Sequence, residues 1–313
     1  MARKRKGKPI DGWLVIDKPG GPTSAQVVNA VRRITGAAKL GHAGTLDPLA
    51  TGILPVALGE ATKTIAYVME GAKRYRFTLR WGRATTTDDT EGEVLEESDR
   101  RPSREEIEAA LPRFIGEIEQ VPPRFSAIKV EGKRAYDLAR EGEEVELAAR
   151  HVRIDSLSLA AMDDADHATF HVACGKGAYM RALARDLGAA LGVPAHISAL
   201  RRTAVGPFDE DDAISLDSLK ALGHSAAALE HVLPVGAALD DIPALALTET
   251  EAIRLRHGQS VSMLARANLE RVRELSQGAI VCAKLKDQPV ALAKFEAGDL
   301  RPVRVLNLQH ERG

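Results

Sequence analysis

The stretch Lys73 to Trp81 constrains the fold more than any other. Tyr75, Phe77, Leu79 and Trp81 alternate with Arg74, Arg76, Thr78 and Arg80. A period of two puts the first set on one face of a β-strand and the second on the other. The strand is therefore half-buried, with a basic outer face, and its apolar face needs a covering layer. Other segments supply that layer and the neighbouring strands. Trp13–Ile16 is a short apolar run ended by Asp17-Lys18-Pro19-Gly20-Gly21, and Ile53–Leu58 is a second run. Val152, Ile154 and Thr169–Val172 resume strand character. Val27, Val31 and Ile34 recur at helical spacing, with Ser24 placed to cap and Gly36 to stop. Ser103 and Glu106 form a capping-box pattern ahead of Ile107, Ala110, Leu111 and Phe114. Met180, Leu183, Leu187 and Leu191 mark a further helix stopped by Gly192. The spacing is too uneven for repeated βαβ units and predicts a mixed α/β or α+β sheet domain.

The pattern changes between Leu233-Pro234 and Ile242-Pro243. Beyond it come a short helix near Glu249–His257 and strand-like segments Val261–Leu264, Ala279–Leu285, Val290–Phe295 and Val303–Leu308. Several short strands in so little chain predict a small β-barrel. The organisation expected is a basic arm over 1–8, a sheet domain over 9–235 with an insertion at 122–150, and a barrel over 240–313. A chain of 313 residues suits two domains. The N-terminus carries charge with no apolar stretch behind it, and no run approaches the ~20 residues of a membrane helix. A cytoplasmic protein with no membrane partner is expected. Cys174 and Cys282 are too few for a disulfide framework or a four-thiolate zinc site and read as buried free thiols. The net charge of −1 is far from that of strongly basic nucleic-acid binders. Net charge averages over faces, however. Arg3, Lys4, Arg5, Lys6 and Lys8 form a basic arm, either a solubilising tail or a loose phosphate contact. Lys176, Arg181, Arg185, Arg201 and Arg202 make a second concentration opposed only by Asp186.

The segment Gly41 to Gly52, GHAGTLDPLATG, is where chemistry could sit. Its small residues let backbone approach a ligand. Asp47, held extended before Pro48, could be a nucleophile or base, or could close an Asx-turn. His42 reads equally as a satisfied surface histidine. Gly175-Lys176-Gly177 resembles half a phosphate loop without the Walker pattern, and close strand–helix packing explains it as well. Arg181 is either solvated or paired with a carboxylate that it keeps ionised. Tyr75 and Leu200, taken alone, are core. No histidines and acids stand at metal-ligand spacing, so no metal is expected.

Taken together, these residues carry a resemblance. GHAGTLDPLATGILPVALGEATK (Gly41 to Lys63) resembles the signature of the TruB family of tRNA pseudouridine synthases. So do, in order, WLVIDKPGGPTS from Trp13, KRYRF from Lys73, GKGAYMRALARDLG from Gly175 and LRRTAVGPF from Leu200. SAIKVEGKRAYDLAR, residues 126–140, resembles the family's RNA-gripping insertion, and PVALAKFEAGDLRPVRVLN its PUA-type barrel. The resemblance implies an α+β fold with a mixed, mainly antiparallel sheet and a PUA-like C-terminal domain. It implies isomerisation of uridine 55 in the T loop of tRNA, without cofactor, by a monomer. It makes Asp47 the nucleophile, Arg181 its ion-pair partner and Tyr75 the residue stacked on the target base. Leu200 would pack on the other side of the base. His42 would help displace the target. Lys18, Pro19 and Tyr179 would line the site, Asp89 would hold the RNA or the tyrosine region, and Lys176, Arg201 and Arg202 would meet phosphates. Thr85-Thr86-Thr87-Asp88-Asp89 departs from the family pattern, with threonine where the first acid is common.

These residue types suit the reaction. Pseudouridine formation breaks the N1 glycosidic bond and rejoins the ring through C5, with no redox change. A carboxylate can add to C6 or capture C1′. The base must leave its stack to be reached, and an aromatic and an aliphatic side chain offer its two faces a sandwich. A non-catalytic tRNA-binding or tRNA-folding protein needs the basic face and the barrel, but not Asp47, Tyr75 and Arg181 together.

Overall fold

A computed structural model describes residues 7–125, 129–130, 133–134 and 147–308. Most of the insertion and residues 1–6 of the arm, with the expectations placed on them, lie outside the described residues. In chain order the strands are β1 (Gly12–Lys18), β2 (Leu40–His42), β3 (Thr51–Leu58), β4 (Lys73–Trp81), β5 (Arg83–Thr85), β6 (Val94–Glu97), β7 (Gly116–Gln120), β8 (Lys129–Val130) and β9 (Lys133–Arg134). Then come β10 (Arg150–Met162), β11 (His167–Cys174), β12 (Ala195–Val205), β13 (Phe208–Asp209), β14 (Ile214–Ser215), β15 (Ala244–Ala246), β16 (Val261–Ser262), β17 (Ile280–Leu285), β18 (Gln288–Glu296) and β19 (Asp299–Val305). The main sheet runs β14-β1-β3-β12-β4-β11-β10-β7, with β2 added on β3 and β13 on β12. Only β1–β14 and β3–β12 pair in parallel, so the sheet is mixed and mainly antiparallel.

The period-two strand lies at the centre as β4, between β12 and β11. Its apolar face forms the core: Phe77 stacks on Phe170 at 5.3 Å, and Trp81 meets Phe170 edge-on at 6.4 Å. That face is covered by α1 (Ser24–Thr35), α3 (Arg104–Ala110) and α4 (Met180–Leu191), through Val27, Val31, Ile107, Leu183 and Leu187. The short helix α2 (Ile65–Glu70) leads into β4. Gly36 and Gly192 end α1 and α4 in left-handed conformations, as expected. The cap of α1 differs from expectation. Thr23 caps it, in a reciprocal box with Gln26, and Ser24 lies inside the helix with its hydroxyl free for another task.

The opposite face of the sheet is apolar over β1 and β3, where Trp13, Val15 and Ile53 join Phe208. Cys282, Leu292 and Leu306 of the C-terminal segment complete this layer. That segment forms a five-stranded sheet in the order β15-β17-β18-β19-β16, the small β unit expected, with its own core around Leu255, Val281 and Phe295. A helix over Arg266–Val272 was not legible in the sequence. Of its apolar residues Leu269 is exposed and Val272 buried, so no apolar stripe announces it. Cys174 and Cys282 are buried free thiols, and burial pushes the Cys174 thiol up to about 12.

β12 organises the site. It runs beside β3 and β4 so that Arg202 stands opposite both Gly52 and Tyr75. The approach to β3 is close. Gly52 has φ of +97°, and a Cβ there would sit 2.1 Å from the Arg202 carbonyl oxygen. Both facts require glycine. Gly52→Ala is expected to cost more than about 2 kcal/mol, read as a lowered urea midpoint at unchanged m-value.

Candidate active site

Asp47 sits in the loop between β2 and β3. Its backbone is fixed by buried polar groups on every side. The Ser24 hydroxyl, freed from capping, donates to Leu46 O (3.1 Å) and accepts from Leu46 N (2.9 Å). Lys18, fully buried, donates from Nζ to Pro19 O (2.9 Å), Pro48 O (3.0 Å) and Ala50 O (2.6 Å). Three carbonyls use all three ammonium protons. Burial lowers the Lys18 pKa to about 8, against the opposing pull of Asp47. Arg202, 2% exposed, donates from Nε to Ile53 O (2.8 Å) and from Nη2 to Gly44 O (3.1 Å). The loop is thus clamped at residues 44, 46, 48 and 50, around Asp47, which lines the cleft.

That side chain meets Arg181. Nη2 of Arg181 lies 2.8 Å from Asp47 Oδ2, with the arginine side chain 6% exposed and the aspartate 38%. The Asx-turn left open by the sequence is not formed among the described residues. Arg181 stands on the first turn of α4, and its other contacts complete it. Nη1 lies 3.5 Å from Asp89 Oδ2 and donates to Thr87 O (3.1 Å), while Nη2 also donates to Phe125 O (2.8 Å). Asp89 is itself buried. It accepts from the Thr87 hydroxyl (2.5 Å) and Glu91 N (3.0 Å). The second acid at Arg181 is therefore remote in sequence from Asp47, and spacing alone could not pair them.

A cleft of about 330 Å³ opens between the Asp47 loop, β4, β12 and the start of α4. Asp47, Tyr75, Tyr179, Arg181, Leu200 and Arg202 all line it, so the structure brings together residues spread over most of the chain. Burial raises the Tyr75 phenol pKa, partly offset by Arg202, so the phenol holds its proton. Tyr179 sits at the start of α4, and its backbone exchanges two hydrogen bonds with the buried Gln120 side chain (2.8 and 3.1 Å). Lys73, which the sequence reading passed over, also lines the cleft and donates to Met69 O and Gly71 O, tying α2 to the start of β4.

Other expected residues stand differently. Arg202 is buried, with its Nε and Nη2 donating to carbonyls, and it stands in the cleft wall beside Tyr75 rather than on an outer basic face. Arg201 is held by Asp17 in a bidentate pair (2.9 and 3.0 Å) and by Glu210, which neutralise it. Lys176 is exposed at the rim beside Glu70. His42 ends β2 outside the cleft lining, and burial together with Arg202 lowers its pKa, favouring the neutral ring. Pro19 contributes its carbonyl to Lys18. Ser24 was visible in the sequence only as a cap, since a hydroxyl that leaves its own helix for a loop 22 residues on has no local signature.

Comparisons with known proteins bear on the family. Residues 32–180 match the family model described as TruB family pseudouridylate synthase (N terminal domain). Residues 181–240 match the tRNA pseudouridylate synthase B C-terminal domain. A Rhodospirillum rubrum protein named tRNA pseudouridine synthase B is 55% identical over 308 residues, covering 98% of this chain and 100% of that protein. A Caulobacter vibrioides protein of the same name is 54% identical over 309 residues, with coverages of 98% and 100%. Among solved structures, a Cbf5-Nop10-Gar1 complex contains a chain similar at TM-score 0.72 and 26% identity, covering 94% of this chain and 84% of that one. An H/ACA RNP bound to a substrate RNA containing 2′-deoxyuridine shares the fold at TM-score 0.73 and 23% identity, covering 99% and 92%.

The clamp around Asp47 makes a direct prediction. Lys18→Met keeps the length of the side chain but takes the side-chain donor from three carbonyls, of which only Pro48 O keeps another donor, Gly21 N (2.8 Å). It is expected to destabilise the protein by at least about 2 kcal/mol, measured by urea unfolding.

Proposed function

The chain belongs to the TruB family of pseudouridylate synthases and is a tRNA pseudouridine synthase, an isomerase; from that premise we propose that it converts uridine 55 in the T loop of tRNA, with Asp47 as nucleophile. The observation that carries the assignment of Asp47 is its 2.8 Å pair with Arg181 in a cleft also lined by Tyr75 and Leu200. The pair orients the carboxylate and holds a cation beside it in a partly apolar site. Its clamped backbone fixes the direction from which it attacks, so little reorganisation is needed at the moment of reaction.

The target uridine leaves the T-loop stack and enters between Tyr75 and Leu200. Asp47 adds to ring C6 or to C1′. The N1–C1′ bond breaks, the ring turns, a C5–C1′ bond forms, and the bond to Asp47 breaks to return the carboxylate. C5 then gives its hydrogen to solvent and N1 is left carrying one, so atoms balance with no donor or oxidant. Tyr75 stacks on the base and directs its hydroxyl toward the reacting edge. Tyr179, Lys18, Pro19 and Asp89 shape or support the pocket, and His42 helps displace the target from the T loop.

RNA contact rests on loop shape and phosphates, because the A-form major groove is too narrow for side chains. Lys176 at the rim, the insertion and the basic arm supply the positive charge. We assign the arm to 1–8, the catalytic unit to 9–235 with its RNA-gripping insertion at 122–150, and the PUA-like RNA-binding unit to 240–313. The protein acts as a monomer in the cytoplasm. Among the described residues no helix is long and apolar enough to cross a membrane. The comparisons lend no support to the non-catalytic alternative.

An unmodified tRNA transcript carrying tritium at uridine C5 tests this reading. Wild type is expected to release about one equivalent per tRNA, mapped to position 55, with C5–H loss as the reporter of isomerisation. Asp47→Ala is expected to release none and to bind tRNA within a few-fold of wild type. Continued release by that variant refutes the nucleophile. Tyr75→Phe keeps the stacking ring and loses the hydroxyl. Its kcat is expected to fall by about 100-fold or more with binding intact, and a wild-type rate would strip the hydroxyl of any role.

A further inference from the structure

Two arginines one helical turn apart on α4 grip the same two segments of chain. Arg181 donates to Thr87 O and Phe125 O while it pairs with Asp47. Arg185 faces the same way, four residues on. It lies 3.6 Å from the Asp88 carboxylate, beside Thr87, and donates to Val121 O at 2.8 Å, in the strand exit that leads to Phe125. The upper pair therefore touches the substrate cleft, and the lower pair does not. The acidic turn is fixed from a third side, where Asp88 O accepts from Ile197 N (3.0 Å) of β12. Asp88 takes the left-handed conformation there, with φ of +58°. A non-glycine residue in that conformation costs energy that its surroundings must supply.

We propose that Arg185 and Asp88 form a positioning pair: they hold the Thr85–Asp89 turn and the Val121–Phe125 exit against α4, and so fix the two carbonyls that orient Arg181 toward Asp47. Neither residue touches substrate. Their effect reaches the reaction through the direction of the Arg181 guanidinium, which has to satisfy Asp47, Asp89, Thr87 O and Phe125 O at once. The inference rests on the activity assigned above.

Asp88 also gives the pair a pH signature. Burial raises its pKa to about 6, while Arg185 and Arg181 pull it down and Asp186 and Asp89 push it up. These are the charged groups that α4 and its own turn present to it. Protonation removes the charge that Arg185 holds. Turnover is therefore expected to be full above this pKa and to decline as pH falls through about 6.

The test compares wild type, Arg185→Gln, Arg185→Lys and Asp88→Asn by single-turnover tritium release on one tRNA transcript across pH 5.5–8.5, with tRNA affinity measured in parallel. Arg185→Gln is expected to lose about tenfold or more in rate, as a small misplacement of a reacting group does, with affinity within about twofold of wild type. Arg185→Lys keeps the charge for Asp88 and is expected to recover part of the rate. Asp88→Asn is expected to be slow at pH 8 and to lack the decline near pH 6 that wild type shows. A merely structural pair would lower the melting temperature and leave the rate of the folded protein and its pH profile unchanged; that result overturns the proposal. If Arg185→Gln does not fold, the pH profile of Asp88→Asn decides, a retained decline at wild-type rate being the overturning result. A wild type that releases no tritium refutes the activity itself, together with this inference, and is seen before any variant is compared.

Discussion

A guanidinium that is 6% exposed must find its counter-charge inside the protein, because no solvent is there to supply it. Arg181 finds it in two carboxylates of unequal exposure. Asp89 is buried and fully engaged; Asp47 is open to the cleft. The arrangement keeps the arginine charged and oriented from behind. The front carboxylate is thereby left paired yet reachable. A single partner would have forced a choice between a buried, unreactive pair and an exposed, weak one.

The loop that carries Asp47 is built on the same logic. Regular secondary structure would have satisfied its carbonyls but could not have presented a side chain from so tight a turn. Instead the carbonyls are met by side chains that arrive from other elements: Lys18 from the end of β1 and Arg202 from β12. Ser24 from α1 does the same for Leu46. Each is buried, so losing one removes a bond that no solvent replaces. β12 is the member that ties the sheet to the site. Its register fixes Arg202 against Gly52 and Tyr75 together, so the catalytic face and the loop share one strand.

Much of this was legible in the sequence. The alternation of Lys73–Trp81 located the central strand, and the glycines at 36 and 192 located two helix ends. The motif residues Asp47, Tyr75, Arg181 and Leu200 fall on one cleft. Misreadings share one cause. A side chain's chemistry is visible in the sequence, but its direction across tertiary space is not. Arg201 and Arg202 looked alike as cations, yet β12 turns one to a surface ion pair and the other into the core. Ser24 looked like a cap because Thr23, one residue earlier, has the same chemistry. The helix at Arg266–Val272 left no periodic trace, since its packing uses few apolar residues. Lys18 read as a site residue by resemblance, but its work is to hold carbonyls, which no spacing rule reveals.

The layer shared between the main sheet and the C-terminal strands bears on how the protein is made. Trp13, Val15, Ile53 and Phe208 leave the ribosome long before Cys282, Leu292 and Leu306, which cover them. At ~5–20 residues per second, synthesis from Phe208 to Leu306 takes roughly 5–20 s. During that interval the nascent enzyme holds a nearly complete catalytic cleft in front and a bare aromatic face behind. The last strands therefore act as a built-in cover whose late arrival closes an aggregation-prone window. A chain cut short before them would leave this apolar layer uncovered.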